Sequence, residues 1–141
     1  MLISTRTSYS IRAMYELARN FGKNPTSITY ISQRQQIPET YLEQLLFSLK
    51  GAGLVTGIRG INGGYVLSRE PKDINLTDIL KVTEGNTIVS KCLITGDTCS
   101  VRGVCPAHNV LTEVQGEIFK HFSGISLQEL LDRNTEDEEG V

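Results

Sequence analysis

The sequence predicts a mainly helical chain carrying one small β-hairpin, and three observations lead there. Apolar residues recur at helical spacing through the first fifty positions, interrupted by a proline-bearing turn at Gln36-Ile37-Pro38. The period then becomes extended over 54–68, on either side of a glycine-rich loop, Arg59-Gly60-Ile61-Asn62-Gly63-Gly64. Helical spacing returns after Pro106. Two short helices joined by a tight turn and followed by a hairpin make a winged helix-turn-helix, here with a long C-terminal helix appended.

Each element has its own signals. Ser8 to Phe21 is predicted helical, with Ile11, Met14, Tyr15, Ala18 and Phe21 on one face and Gly22 as a stop. Pro25 marks a loop, and a short helix follows from about Thr29 to Gln35, capped by Ser27 or Thr29. A third helix, Glu39 to Ala52, buries Leu42, Leu45, Leu46 and Leu49 and stops at Gly53. Leu54–Ile58 and Tyr65–Ser68 are the hairpin strands, and Asn75 or Thr77 caps a helix ending near Thr83. Pro106 to His121 is a long helix with Val110, Leu111, Val114, Ile118 and Phe122 on one face. Ser126 and Glu129 form a capping-box pattern for a last helix, Leu127–Leu131. The chain thus divides into a winged domain (1–84), a cysteine-bearing loop (85–105), a dimerisation helix with a short C-terminal helix (106–133) and an acidic disordered tail (134–141).

Composition narrows the setting. The 141 residues suit one domain and contain no run of about 18 apolar residues, so no membrane span is expected. The first residues lack the apolar core of a signal peptide, and the cysteine count of three is odd, which together point to the cytoplasm. The net charge of −2 hides an asymmetry: residues 1–69 hold eight basic side chains against three acidic, and residues 70–141 six against thirteen. A basic half suggests that the first domain meets a polyanion.

Double-stranded DNA fits that half. Thr40, Glu43, Gln44 and Phe47 occupy the side of the third helix opposite the leucines. Thr and Gln hydrogen-bond base edges, and Glu accepts from cytosine N4 while repelling phosphate. In the hairpin loop Arg59 suits a narrow minor groove, and Gly60 lets the backbone come close. Tyr9 and Tyr41 carry hydroxyls near helix starts, where phosphate contacts are common. The apolar face of the long helix has few later elements to cover it, so a second copy is the expected partner, giving a homodimer.

All three cysteines fall between positions 92 and 108, in the spacing Cys92-x6-Cys99-x5-Cys105-x2-His108. Three thiolates and an imidazole complete a soft ligand set for one metal centre. The gaps are wider than the tight knuckles of structural zinc sites and suit a loop around a larger object, such as an iron–sulfur cluster. Spacing alone leaves a cluster, structural zinc and metal-free redox thiols open. No oxyanion-hole or substrate-site motif accompanies Cys105 and His108, so an enzyme is not expected.

Tyr41-Leu42-Glu43-Gln44-Leu45, Gly53-Leu54-Val55, Arg59-Gly60-x-x-Gly63-Gly64-Tyr65-x-Leu67 and the three cysteines together resemble the IscR/NsrR family of bacterial winged-helix regulators, over nearly the whole chain. Within that family the histidine two residues beyond the third cysteine is most similar to the iron–sulfur cluster regulators of the IscR type. The resemblance implies a 2Fe–2S cluster on Cys92, Cys99, Cys105 and His108, and DNA contacts by Tyr9, Thr40, Tyr41, Glu43, Gln44, Arg59 and Gly60. It also implies a cytoplasmic homodimeric transcriptional regulator that senses cluster status or redox state. Three features depart from the pattern: six residues, not five, separate the first two cysteines, Ser8 stands where nitric-oxide sensors of the NsrR type place an aspartate, and Ile61-Asn62 replaces the common proline-glycine of the wing.

Overall fold

The computed structural model describes residues 3–85, 101 and 103–139. It is a winged helix-turn-helix with a two-stranded antiparallel hairpin and three further helices. The first helix, α1, spans Thr5–Arg19 and begins three residues earlier than its apolar pattern suggests. Ser4 is the N-cap and its hydroxyl accepts from the Thr7 amide. The expected face is also shifted: Ala13, Met14, Leu17 and Ala18 are buried, Ile11 and Tyr15 are half-buried, and Phe21 is exposed.

Helix α2, Ile28–Gln35, is capped by Ser27, whose Oγ accepts the Tyr30 amide at 3.1 Å. Its C-terminus turns through Gln36 in the left-handed region, φ 55°. Ser32 stabilises that turn by accepting the Ile37 amide through its carbonyl and donating from Oγ to the Ile37 carbonyl at 2.6 Å. Helix α3, Glu39–Gly51, follows at once and buries Leu42, Leu45, Leu46 and Leu49 as expected.

Strands β1, Val55–Ile58, and β2, Gly64–Leu67, pair in the register Val55 to Leu67 and Ile58 to Gly64. The segment before α2 adds a single bridge, Thr26 to Tyr65, with both amides donating, at 3.0 and 2.8 Å. Gly64 permits that approach, because a Cβ there would lie 2.3 Å from the Thr26 carbonyl oxygen. The wing is therefore fastened to the helix-turn-helix by backbone.

After a 3-10 turn at Pro71–Asp73 comes α4, Leu76–Thr83, with a complete capping box between Asn75 and Asp78. Helix α5, Pro106–Ser123, has no fully buried residue and leaves Val110 57% and Val114 43% exposed. It is tied to α4 by Thr77, whose Oγ1 donates to the Phe119 carbonyl at 3.0 Å. The last helix, α6, returns to the winged domain. Asn75 and Ser126 form a bridge, Leu127 and Leu76 donating to Ile74 and Ile125, and Ile125 and Leu127 join the core built by α1 to α4 and the strands.

Helix α6 runs Leu127–Glu139, not to Leu131, which corrects the expectation of a disordered tail for 134–139. The composition is polar, but side chains pair at helical spacing. Arg133 meets Glu129 at 2.8 Å, Gln128 meets Asp132 at 3.0 Å, and Asn134 and Thr135 donate to the carbonyls of Leu130 and Leu131. No described helix is long and apolar enough to cross a membrane.

Candidate nucleic-acid interface

Helix α3 presents its outer side to solvent because the leucine stripe holds the other side in the core. Thr40, Glu43, Gln44 and Phe47 are exposed and Tyr41 is half-buried. Tyr41 meets Tyr9 of α1 edge-on, centroids 5.5 Å apart and planes at 82°. The Tyr9 ring in turn lies under the Arg12 guanidinium, 5.1 Å from its carbon.

Arg12 extends this stack into a polar chain. Its Nε donates to Gln35 Oε1 at 3.0 Å and its Nη2 to the Gln35 carbonyl. It thereby satisfies the end of α2, where left-handed Gln36 leaves a carbonyl without a helical partner. Gln35 Nε2 donates to Glu16 Oε1 at 2.6 Å. Glu16 is fully buried, with Arg19 and Arg34 nitrogens each 3.7 Å away, and its Oε2 accepts no hydrogen bond. A buried carboxylate persists only with such compensation. Sequence reasoning missed both Arg12 and Glu16: their partner Gln35 is 23 and 19 positions away, and no local pattern announces it.

A second cluster closes the start of α1. Glu84, the C-cap of α4, accepts through Oε1 from the Ser4 amide at 2.9 Å, Ser4 Oγ at 2.5 Å and Thr7 Oγ1 at 2.6 Å. Burial raises the Glu84 pKa, and the hydrogen bonds from Ser4 and Thr7, with the Arg6 charge, outweigh it, so the net shift is downward. Arg6 Nη2 also donates to Ser48 Oγ at 3.0 Å, which sets a cation beside the outer face of α3.

At the wing tip Arg59, Gly60 and Ile61 are exposed, with Gly60 at φ 119° and its carbonyl accepting the Gly63 amide at 3.0 Å. The expected DNA-contacting residues thus lie on three elements: Tyr9 on α1, Thr40, Tyr41, Glu43 and Gln44 on α3, and Arg59 and Gly60 on the hairpin loop.

Of the expected metal ligands, Cys92 and Cys99 lie outside the described residues. Cys105 is the N-cap of α5 and a half-buried free thiol, and His108 follows within the first turn, also half-buried. No group of three metal-binding side chains occurs among the described residues. The described pair suits a soft metal centre in its chemistry and in sharing one turn.

The family model for Rrf2, described as an iron-dependent transcriptional regulator, matches residues 3–133. The chain belongs to the Rrf2 family. Rrf2 relatives include the HTH-type transcriptional regulator CymR of Bacillus subtilis, 49% identical over 85 residues, a match spanning 60% of this chain and 62% of that one. The HTH-type transcriptional regulator IscR of Vibrio atlanticus is 32% identical over 134 residues, 95% of this chain and 77% of its own. Among solved structures, CymR, the global cysteine regulator of B. subtilis, superposes with TM-score 0.77 at 34% identity, covering 94% of this chain and 98% of that chain. T. potens IscR gives TM-score 0.77 at 36% identity, covering 95% and 88%. The winged-helix fold read from the sequence and the kinship with IscR therefore both hold. As an Rrf2 protein the chain is a DNA-binding transcriptional regulator and not an enzyme.

Proposed function

We propose that this chain is a cytoplasmic homodimeric regulator that adjusts its hold on operator DNA through a 2Fe–2S cluster held by Cys92, Cys99, Cys105 and His108. The reading is carried by the position of Cys105 and His108 together on the first turn of α5, the helix that buries no side chain of its own. A group anchored there acts at one end of the element that a second copy would cover. The uncovered Val110 and Val114, with half-buried Ile118 and Phe122 further along, support α5 as the dimer helix. The iron dependence in the family description supports the metal. Held by Cys92, Cys99, Cys105 and His108, the cluster would supply a one-electron centre. The chain's own residues do the rest: α5 sets the spacing of two winged domains, Thr40, Glu43 and Gln44 meet base edges, and Tyr9, Tyr41, Arg59 and Gly60 hold the backbone and minor groove.

The test is a visible spectrum with iron and sulfide analysis on protein purified without oxygen. About two irons and two sulfides per chain are expected for a 2Fe–2S centre. A colourless protein with stoichiometric zinc would replace the cluster with structural zinc. A second reading, metal-free redox thiols, is favoured by the half-exposed Cys105 thiol and by the description of B. subtilis CymR as a cysteine regulator. Protein that takes up no metal yet changes DNA affinity on mild oxidation would establish it.

A further inference from the structure

Phe47 is the outlier of α3. The helix buries Leu42, Leu45, Leu46 and Leu49 at 2% exposure or less, yet leaves Phe47 76% exposed. Thr40, Glu43, Gln44 and Phe47 stand at i, i+3, i+4 and i+7, which is one continuous stripe on a helix, and Phe47 is its only apolar member. Arg6, held on Ser48, borders the stripe, and exposed Lys50 and Arg59 lie on the same helix and on the adjoining wing. An aromatic ring bordered by Arg6 and set among the polar side chains Thr40, Glu43 and Gln44 suits a surface with polar base edges and phosphates better than an apolar protein surface. The apolar face suited to a second copy is elsewhere, on α5.

Base edges in the major groove offer one apolar feature, the C5 methyl of thymine. We infer that Phe47 reads a thymine methyl, making it a specificity-determining residue beside Thr40, Glu43 and Gln44. This rests on the DNA-facing reading of α3 proposed above. Helical rise places Phe47 about 6 Å beyond Glu43 along the axis. The thymine it meets is therefore a different base pair from the one met by Glu43, within the same half-site.

The experiment uses the full chain purified without oxygen. Sites are selected from a randomised duplex pool, and each thymine of the selected site is then replaced by deoxyuridine, which removes only the methyl. One thymine per half-site should weaken wild-type binding by about fourfold when replaced, the worth of one buried methyl-sized group. Phe47→Ala should bind uridine and thymine versions of that position alike, with an unchanged melting temperature, and Phe47→Leu should restore part of the discrimination. A selected site in which no methyl matters, or a methyl effect that persists in Phe47→Ala, overturns the inference. So does a Phe47→Ala protein whose DNA binding is unchanged but whose oligomeric state shifts. Gln44→Ala and Arg59→Ala run in parallel: if they weaken binding and Phe47→Ala does not, only Phe47 loses its role, whereas if none of the three matters the DNA face itself is misplaced.

Discussion

The carboxylate of Glu84 accepts the backbone amide of Ser4 at 2.9 Å, joining the end of α4 to the start of α1 across eighty positions. A charged acceptor there satisfies amides that a helix start leaves open and complements the helix dipole. It also sits at the last residues before the loop expected to hold the cysteines, so the entry to that loop is anchored on the helix that carries Tyr9.

This contact makes stability depend on acid. The folded-state pKa of Glu84 lies below its ordinary value, so its contribution is complete at neutral pH and disappears as pH falls through and below the usual carboxylate range. Glu84→Gln should flatten that part of the pH profile of thermal unfolding. Glu84→Ala should lower stability at pH 7 by about 1 kcal/mol, the scale of a lost helix cap. A mutant profile parallel to wild type would remove Glu84 as the source.

Arg12→Lys should be a costly change despite the conserved charge. An ammonium cannot reproduce the two bonds to Gln35 in the guanidinium geometry or the stacking on Tyr9. A loss of about 1 to 2 kcal/mol in chemical denaturation is expected, together with weaker operator binding, because Tyr41 loses the support behind Tyr9.

Gly64→Ala tests the fastening of the wing. The added methyl would meet the Thr26 carbonyl, so the bridge to Tyr65 must open. Destabilisation of about 1 to 3 kcal/mol is expected, as for overpacking elsewhere. Loss of DNA affinity beyond that of Arg59→Ala would show that wing placement matters as well as wing charge.

Arg59→Ala should reduce the slope of log affinity against log salt by about one unit if the guanidinium rests on a phosphate. A lowered affinity with unchanged slope would place it against a base edge instead.

Cys105→Ser separates ligand loss from misfolding. The N-cap of α5 makes no side-chain capping bond, and serine is a good N-cap. Compared in their metal-free forms, the variant should melt at or above the wild-type temperature, and after anaerobic purification it should fail to retain iron. Full iron and sulfide content in this variant would exclude Cys105 as a ligand.

Much of the fold was legible in local pattern. The leucines of α3, the Ser27 cap, the hairpin and the Asn75 cap of α4 are short-range signals, and each acts where the residues stand. What stayed hidden depends on distant residues. The start of α1 needs Glu84, and the burial of Glu16 needs Gln35, Arg19 and Arg34. The polar composition of the end of α6 suggests disorder, while its stabilising pairs lie four residues apart within the helix. For the candidate site, the exposure of Thr40, Glu43, Gln44 and Phe47 on α3 followed from the face opposite the leucines. The supports behind that face, Arg12 and Arg6, carried no signal in sequence spacing.

The Thr26–Tyr65 bridge has a consequence for which partner must adapt on binding. Two backbone hydrogen bonds join the hairpin to the segment leading into α2, which restrains the base of the wing relative to the helix-turn-helix that carries α3. With α3 and Arg59 on adjacent grooves as proposed, a caliper of this kind would measure the separation of a major groove from its neighbouring minor groove. Duplexes that reach the required width at low elastic energy would then bind well, and stiffer sequences would be penalised at positions that no side chain touches.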